Sequence, residues 1–595
     1  MITDDSMAAP ETRTLVTRNE WVALVALVAV VVLFEALWLA RDPVPDLTND
    51  DQPIARLAFA WAQHWTSGVP VLPEQLSSTP YPPLPSLLGA LGIVLRPDQP
   101  VLGMLQAHGV YISVLVVGTW AAVRRDLGAP AALAAAVLAP SYAWWAGRGQ
   151  MHVDVHQGAC LVALLGAWRW SDGLQRVGPA LLAGLAVGAG LLTKFSFVFF
   201  AAVPAAWMVA DALASVSRHR GVRTAVLPLG LIAAGCIVGS AAGRVAPVAA
   251  LIMSVVALGA VGVAWRVQRA PTARRALAGV IAFVAGASVA APWYLANLLR
   301  LRGFLDANLA HTFAGEVLPL ADVWWVYPSV LARAVLDTPF CVAMLVGTVV
   351  AARGTLGSIV GRVTVHPVDG SAPRSPPNGA VVWLAWSMVA CGIAALTLQP
   401  YRTPRYIFPA AAPCLVIAAW AFACVDRRRT PVAALVGAWG VWLWCSAPWV
   451  LAHPDPVARA DWWARVVLVP PNSEHTVAQL RVQALARTPD LRATLPGPSP
   501  SPFGFSQSAR AAAARVDLVR VRTVATDGLP DAACATFTLA MIARGVSPYV
   551  RCGGPDADLR VVTGDAPPRI GEADGGGPYD RTRVRLRYAS WLDRP

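Results

Sequence analysis

From Trp21 to about residue 450 the sequence is divided into runs of about 20 predominantly apolar residues, each long enough to cross the hydrocarbon core of a bilayer as an α-helix. No other feature narrows the possible folds so far. A soluble domain carries roughly a quarter charged residues, whereas here 56% of 595 residues are hydrophobic, 14% are charged and the mean hydropathy is +0.52. The pattern predicts an all-α polytopic membrane unit over residues 1–450. About 13 spans are expected, near 21–40, 101–121, 128–146, 155–170, 178–193, 196–212, 224–243, 246–265, 276–292, 338–352, 379–397, 407–424 and 431–450.

The formal net charge of +13 would suit a nucleic-acid partner if it were gathered on one stripe, but the arginines are spread between the apolar runs and read as topology signals. With the N-terminus in the cytoplasm, Arg124/Arg125, Arg218/Arg220/Arg223, Arg266/Arg269/Arg274/Arg275 and Arg427/Arg428/Arg429 all fall in cytoplasmic loops. Segments 41–100, 147–154, 293–337 and 398–406 then face outward, and an odd number of spans carries the tail, 451–595, outside as well. Arg13 and Arg18 precede a run from Trp21 to Ala40 that is too long for a signal-peptide core, so a retained first span is expected. Near-exclusive use of arginine and abundant alanine point to a GC-rich bacterial genome, and so to a bacterial inner membrane with its periplasmic face outside.

The tail differs in kind. Pro/Ser/Gly punctuation from Pro496 to Gly504 and short β-like stretches at Val516–Val524 and Leu559–Thr563 predict a small extracytoplasmic α/β C-terminal domain. Cys534 and Cys552 lie in it and are disulfide candidates if the compartment is oxidising. The seven cysteines from Cys160 to Cys445 sit singly in or beside apolar runs, as packing residues do. Residues 353–378, rich in Pro, Gly and Ser, form a cytoplasmic loop.

Chemistry-bearing residues cluster in the segments expected outside. The first loop reads Asp46-Leu-Thr-Asn49-Asp50-Asp51-Gln52-Pro53, followed by apolar residues at helical spacing, Ile54, Leu57, Ala58, Trp61 and Trp65. This predicts an interfacial helix capped by Asn49 or Asp50, its apolar face dipping into lipid. Two adjacent carboxylates would then stand at the water–lipid boundary, either as solvated caps or as reactive groups. Tyr81-Pro82-Pro83-Leu84 closes the loop in an extended approach to the next apolar segment. His152, Asp154 and His156 alternate before the fourth span. Their alternatives are a structural aspartate with interfacial histidines, an acceptor-orienting carboxylate, or a partial site for a divalent metal. Lys194, the only lysine in the chain, lies in an apolar run, where a charge is costly and is functional, paired or snorkelling to the interface. Arg402 and Arg405 flank Pro404 at an outer span boundary, where arginine can grip a phosphate or simply anchor the interface. Glu35 and Glu74 could bind sugar hydroxyls or be structural, and Trp144/Trp145 and Trp324/Trp325 sit where aromatic belts are expected.

An acidic pair after the first span, an interfacial helix and Tyr-Pro-Pro-Leu some way on resemble, in that order, the GT-C superfamily. The likeness is to the branch holding protein O-mannosyltransferases and the lipid A aminoarabinose transferase. Gly149-Gln-Met-His152-Val-Asp154-Val-His156, the Gly-rich run Gly184 to Thr193-Lys194-Phe195, Pro292-Trp293-Tyr294, and Arg402-Thr-Pro-Arg405-Tyr406-Ile-Phe-Pro409 follow in the family's order. The resemblance implies a transferase that takes a sugar from a polyprenyl-phosphate donor and passes it to a glycan, lipid or protein acceptor outside the cytoplasm. Asp50 matches the family's catalytic aspartate. Asp51 stands where glutamate is usual, and Tyr81 where many members have histidine. Asp50, Asp51 and Asp154 are therefore the catalytic candidates, Lys194, Arg402 and Arg405 the donor-phosphate candidates, and Tyr81, His152, His156 and Tyr406 the substrate-binding candidates. No cofactor is required by this reading, with a divalent metal as the alternative. The rival function is a transporter or flippase of lipid-linked sugars, against which stand the lack of an evident inverted repeat and the chemically loaded first loop.

Overall fold

The computed structural model describes residues 16–41, 51–71, 81–147, 153–172, 174–202, 204–206, 271–310, 327–328, 331, 338–359, 379–397, 404–424, 430–438 and 440, and four strands between 524 and 588. The helices are α1 Arg18–Arg41, α2 Asp51–Ser67, α3 Leu84–Leu95, α4 Pro100–Ala107, α5 Gly109–Leu127, α6 Ala129–Gly147, α7 Val153–Trp170, α8 Val177–Thr193, α9 Pro271–Ala310, α10 Thr338–Ile359, α11 Ala380–Thr397 and α12 Phe408–Ala419. Among the described residues four stretches are long and apolar enough to cross a membrane: Arg18–Leu37, Leu102–Leu127, Leu277–Asn297 and Ala380–Thr397. The expected spans near 224–243 and 246–265 lie outside the described residues, as do residues 360–378 of the loop expected at 353–378, whose residues 353–359 instead continue α10.

Two helices form the centre. Every residue of α12 from Pro409 to Ala419 is buried, and so is α7 from Val153 to Val162. A helix that is apolar all round belongs inside a bundle, and these two have packed neighbours on all sides. Small residues set the approach distances, as in membrane helix pairs generally. On Gly184 of α8 a Cβ would stand 2.0 Å from the Ala282 carbonyl oxygen of α9. Gly184→Ala is therefore expected to push these helices apart and cost about 1–3 kcal/mol, read as a lower thermal midpoint of the detergent-purified protein. An unchanged midpoint would show that the contact yields freely.

The outer face of α1 carries Trp21, Val25, Leu33 and Leu37, all exposed, as lipid-facing side chains must be. One end of the bundle is tied by ion pairs that join α1, α5, α7 and α8: Glu20 with Arg124, Asp126 with Arg169 at 2.6 Å, and Asp172 with both Arg125 and Arg176. Glu20 and Arg124 are buried, at 5% and 7% exposure.

Two expectations are corrected. The α2 face assigned to lipid is covered by protein: Ile54, Ala55, Leu57 and Ala58 are buried, Ile54, Ala55 and Ala58 in one apolar cluster with Ala90 and Ile93 of α3 and Met104 of α4, and only Trp65 at the end stays exposed. Part of the cover is α3, a 12-residue apolar helix inside the loop, too short to span. Second, the span expected to stop at residue 292 continues through Pro292 as a helix of 40 residues to Ala310. Proline is tolerated inside membrane helices where neighbouring groups take over the freed backbone bonds. The span expected at 101–121 falls within the membrane-length stretch Leu102–Leu127, with a turn at His108 between α4 and α5.

In the tail, strands β1 Val524–Ala525, β2 Leu559–Gly564, β3 Glu572–Asp574 and β4 Arg583–Tyr588 form one sheet in the order β1-β2-β4-β3. β2 pairs antiparallel with β4, Leu559 opposite Tyr588, while β1 runs parallel to β2 and so needs a crossover between them.

Candidate functional site

At the end of the bundle opposite the ion-pair clasp, α7 begins and α8 ends. Asp154 sits in the first turn of α7, where a carboxylate complements the helix dipole. Lys194 follows the last residue of α8 with an extended backbone, φ −159° and ψ 139°, so the chain leaves the helix axis there. The Lys194 ammonium reaches back to Asp154, Nζ donating to Oδ1 at 2.7 Å, with the two side chains only 5% and 4% exposed. The ring of Tyr406 lies beneath the same ammonium, 4.7 Å from Nζ to the ring centroid, within the range of a cation–π contact. A lysine inside an apolar run is thus neither snorkelling nor free. It is paired on one side with a carboxylate and on the other with an aromatic face.

The surroundings are tightly hydrogen-bonded. The Thr193 hydroxyl donates to Ala189 O at 2.8 Å, so the Tyr111 hydroxyl, 3.0 Å away, must be the donor to Thr193 Oγ1. Tyr294 of α9 donates to the Leu191 carbonyl at 2.9 Å, satisfying one of the open carbonyls at the end of α8. His156 is buried and stacks against Tyr111, centroids 4.0 Å apart, and against His108 at 4.7 Å. Both ring nitrogens of His108 are buried and lack a hydrogen-bond partner among the described residues. From Leu191 and Tyr294 a cavity of about 340 Å³ runs between α8 and α9 along Val187, Gly184 and Phe283.

Of the candidates named from sequence, Asp154, Lys194 and Tyr406 come together, while His156 lies in the stack with Tyr111 and His108. Arg405 lies in the 3-10 turn Pro404–Ile407 immediately before Tyr406. Asp51 opens α2. Tyr81 packs with Trp61 on the α2–α3 apolar cluster, and that cluster also includes Val153, the neighbour of Asp154. Glu35 is buried on α1. Asp50, His152, Arg402, Glu74, Cys534 and Cys552 lie outside the described residues, as do the side chains of Asp51 and Arg405. Among the described residues no group of three or more His, Cys, Asp or Glu side chains is placed to hold a metal. Sequence reasoning passed over Gln157, Tyr111 and His108. For Gln157 the signal was present, since it stands three residues after Asp154 and so shares its helix face.

These features define a polytopic helical membrane protein with a charged pair buried at one end of its bundle. Its fold is similar to that of the solved ArnT structure. No protein-family model matches the sequence, and no curated protein matches it either. Among solved structures, ArnT from Cupriavidus metallidurans in the apo state is similar over 97% of this chain and 99% of its own, with a TM-score of 0.50 at 15% identity. The same ArnT bound to undecaprenyl phosphate aligns with 97% of this chain and 100% of its own at a TM-score of 0.47 and 14% identity. An Archaeoglobus fulgidus oligosaccharyltransferase tethered to an acceptor peptide aligns with 88% of this chain and 63% of its own, with a TM-score of 0.39 and 12% identity.

Proposed function

We propose that the protein is a membrane glycosyltransferase that moves a sugar from a polyprenyl-phosphate donor to an acceptor hydroxyl on the extracytoplasmic face. The observation that carries this reading is the buried Asp154–Lys194–Tyr406 group, the chain's only lysine held at the end of the bundle opposite the arginine ion pairs. The end tied by Arg124, Arg125, Arg169 and Arg176 is the cytoplasmic one, following the excess of positive charge. The lysine end then faces outward, together with the α2–α3 unit.

In this scheme Lys194, with Arg402 and Arg405, neutralises the charge that develops on the departing phosphate. The apolar cavity between α8 and α9 receives the isoprenoid chain next to it. Asp50, with Asp51 adjacent, takes the proton from the acceptor hydroxyl. The acceptor oxygen forms its bond to the anomeric carbon as the carbon–oxygen bond to phosphate breaks, so polyprenyl phosphate leaves and the anomeric configuration inverts. Tyr81, His152, His156 and Tyr406 shape the substrate site, and the tail, 451–595, is a separate extracytoplasmic domain that contributes to acceptor choice.

The test is release of polyprenyl phosphate from a polyprenyl-phosphate-linked sugar by the purified full chain, with cell-envelope extracts as acceptor. Release with transfer of the sugar supports the reading. A sugar–phosphate bond left whole while the lipid changes leaflet in vesicles would replace it with a flippase.

A further inference from the structure

Lys194 is held at two points by one helix face, and only one of them is its charge. Asp154 and Gln157 lie three residues apart on α7, hence on the same face. Asp154 takes the ammonium, while the Gln157 side-chain amide, at 0% exposure, donates to the Lys194 backbone carbonyl at 3.2 Å and to Ser196 Oγ at 3.1 Å. Both amide hydrogens are therefore spent on the segment that carries the lysine. That segment leaves helix α8 at Lys194, whose N–H closes the last turn on Gly190 O.

A four-carbon stem with several rotatable bonds does not place an ammonium by itself. Its position is set by where the Cα is held and by what meets the head. We propose that Gln157 is a positioning residue that fixes the Lys194 backbone so that its ammonium rests between Asp154 and Tyr406. The proposal rests on the reading above only insofar as Lys194 serves the donor phosphate. The grip itself does not depend on it. The Lys194 carbonyl also accepts the Phe197 N–H at 3.1 Å. Gln157→Leu thus removes the grip without leaving that carbonyl bare, and the substitution preserves volume.

Because the chain has one lysine, amine chemistry reads this side chain alone, the α-amine being resolved on a different peptide. Acetylation of the detergent-purified full chain, followed by peptide mass spectrometry, is expected to be slow at Lys194 in wild type and about tenfold faster in Gln157→Leu, the change expected for loss of one buried hydrogen bond. Maleimide labelling of Cys160, buried on the same helix, should stay equally slow in both. Equal protection of Lys194 in the two proteins would overturn the proposal. So would faster labelling of Cys160 along with Lys194, since that marks general loosening of α7. In the transfer assay, Gln157→Leu should lower kcat in wild type and have no further effect in a Lys194→Met background, whereas additive losses would show a role apart from the lysine. Absence of transfer by wild type would sink the glycosyltransferase reading, and the labelling comparison would still decide on the grip.

Discussion

Lys194→Met is expected to destabilise the protein by about 3–5 kcal/mol, because removing one partner of a buried ion pair leaves the other charge uncompensated. Asp154 is 3% exposed, and its Oδ1 accepts from the Lys194 ammonium at 2.7 Å. Water cannot replace that ammonium without opening the bundle. The double variant Asp154→Leu, Lys194→Met removes both charges and should recover most of the thermal midpoint, since apolar groups of similar size often substitute for a buried pair at little cost. Transfer activity should not recover with it. That separation is the informative result. Stability regained without activity assigns the charged pair to the reaction, whereas recovery of both would make the pair a structural element only. A single Lys194→Met protein with wild-type midpoint and activity would remove the pair from both roles.

Asp50→Asn is expected to lower transfer by about 10²–10⁴-fold, the usual contribution of a positioned general base, with the thermal midpoint unchanged. An amide keeps the shape and the capacity to cap α2 but cannot accept the acceptor's proton. Asp51→Asn in parallel identifies which of the adjacent carboxylates is the base. Full activity of Asp50→Asn, measured as polyprenyl phosphate released per protein, would reject this residue and direct attention to Asp51 or Asp154.

The span pattern was the most legible part of the chain. The run expected at 379–397 is α11, Ala380–Thr397, and the one at 178–193 is α8, Val177–Thr193. The β-like stretch Leu559–Thr563 is β2. Hydropathy succeeds here because crossing lipid imposes a length and an apolar composition that few other structures require. It failed where an apolar face had two acceptable destinations. Ile54 and Ala58 had to leave water, and nothing in their spacing distinguished a bilayer from the α3 and α4 residues that cover them. The span expected near 276–292 likewise runs on through Pro292 as part of α9.

The candidate site divides along the same line. Sequence by itself marked Lys194 as exceptional, a lone lysine in an apolar run, since the cost of a buried charge is a property of residue and medium and needs no coordinates. It also marked Asp154 and Tyr406. Which of these would meet was decided only by tertiary structure. Asp154 and Lys194 are 40 residues apart, and Tyr406 is farther still. They converge because α7 starts where α8 ends and because the chain departs from helical geometry at Lys194. Gln157 acquires its role only in that arrangement. Local sequence determines what each residue costs to bury, but the packing of distant helices determines what offsets that cost.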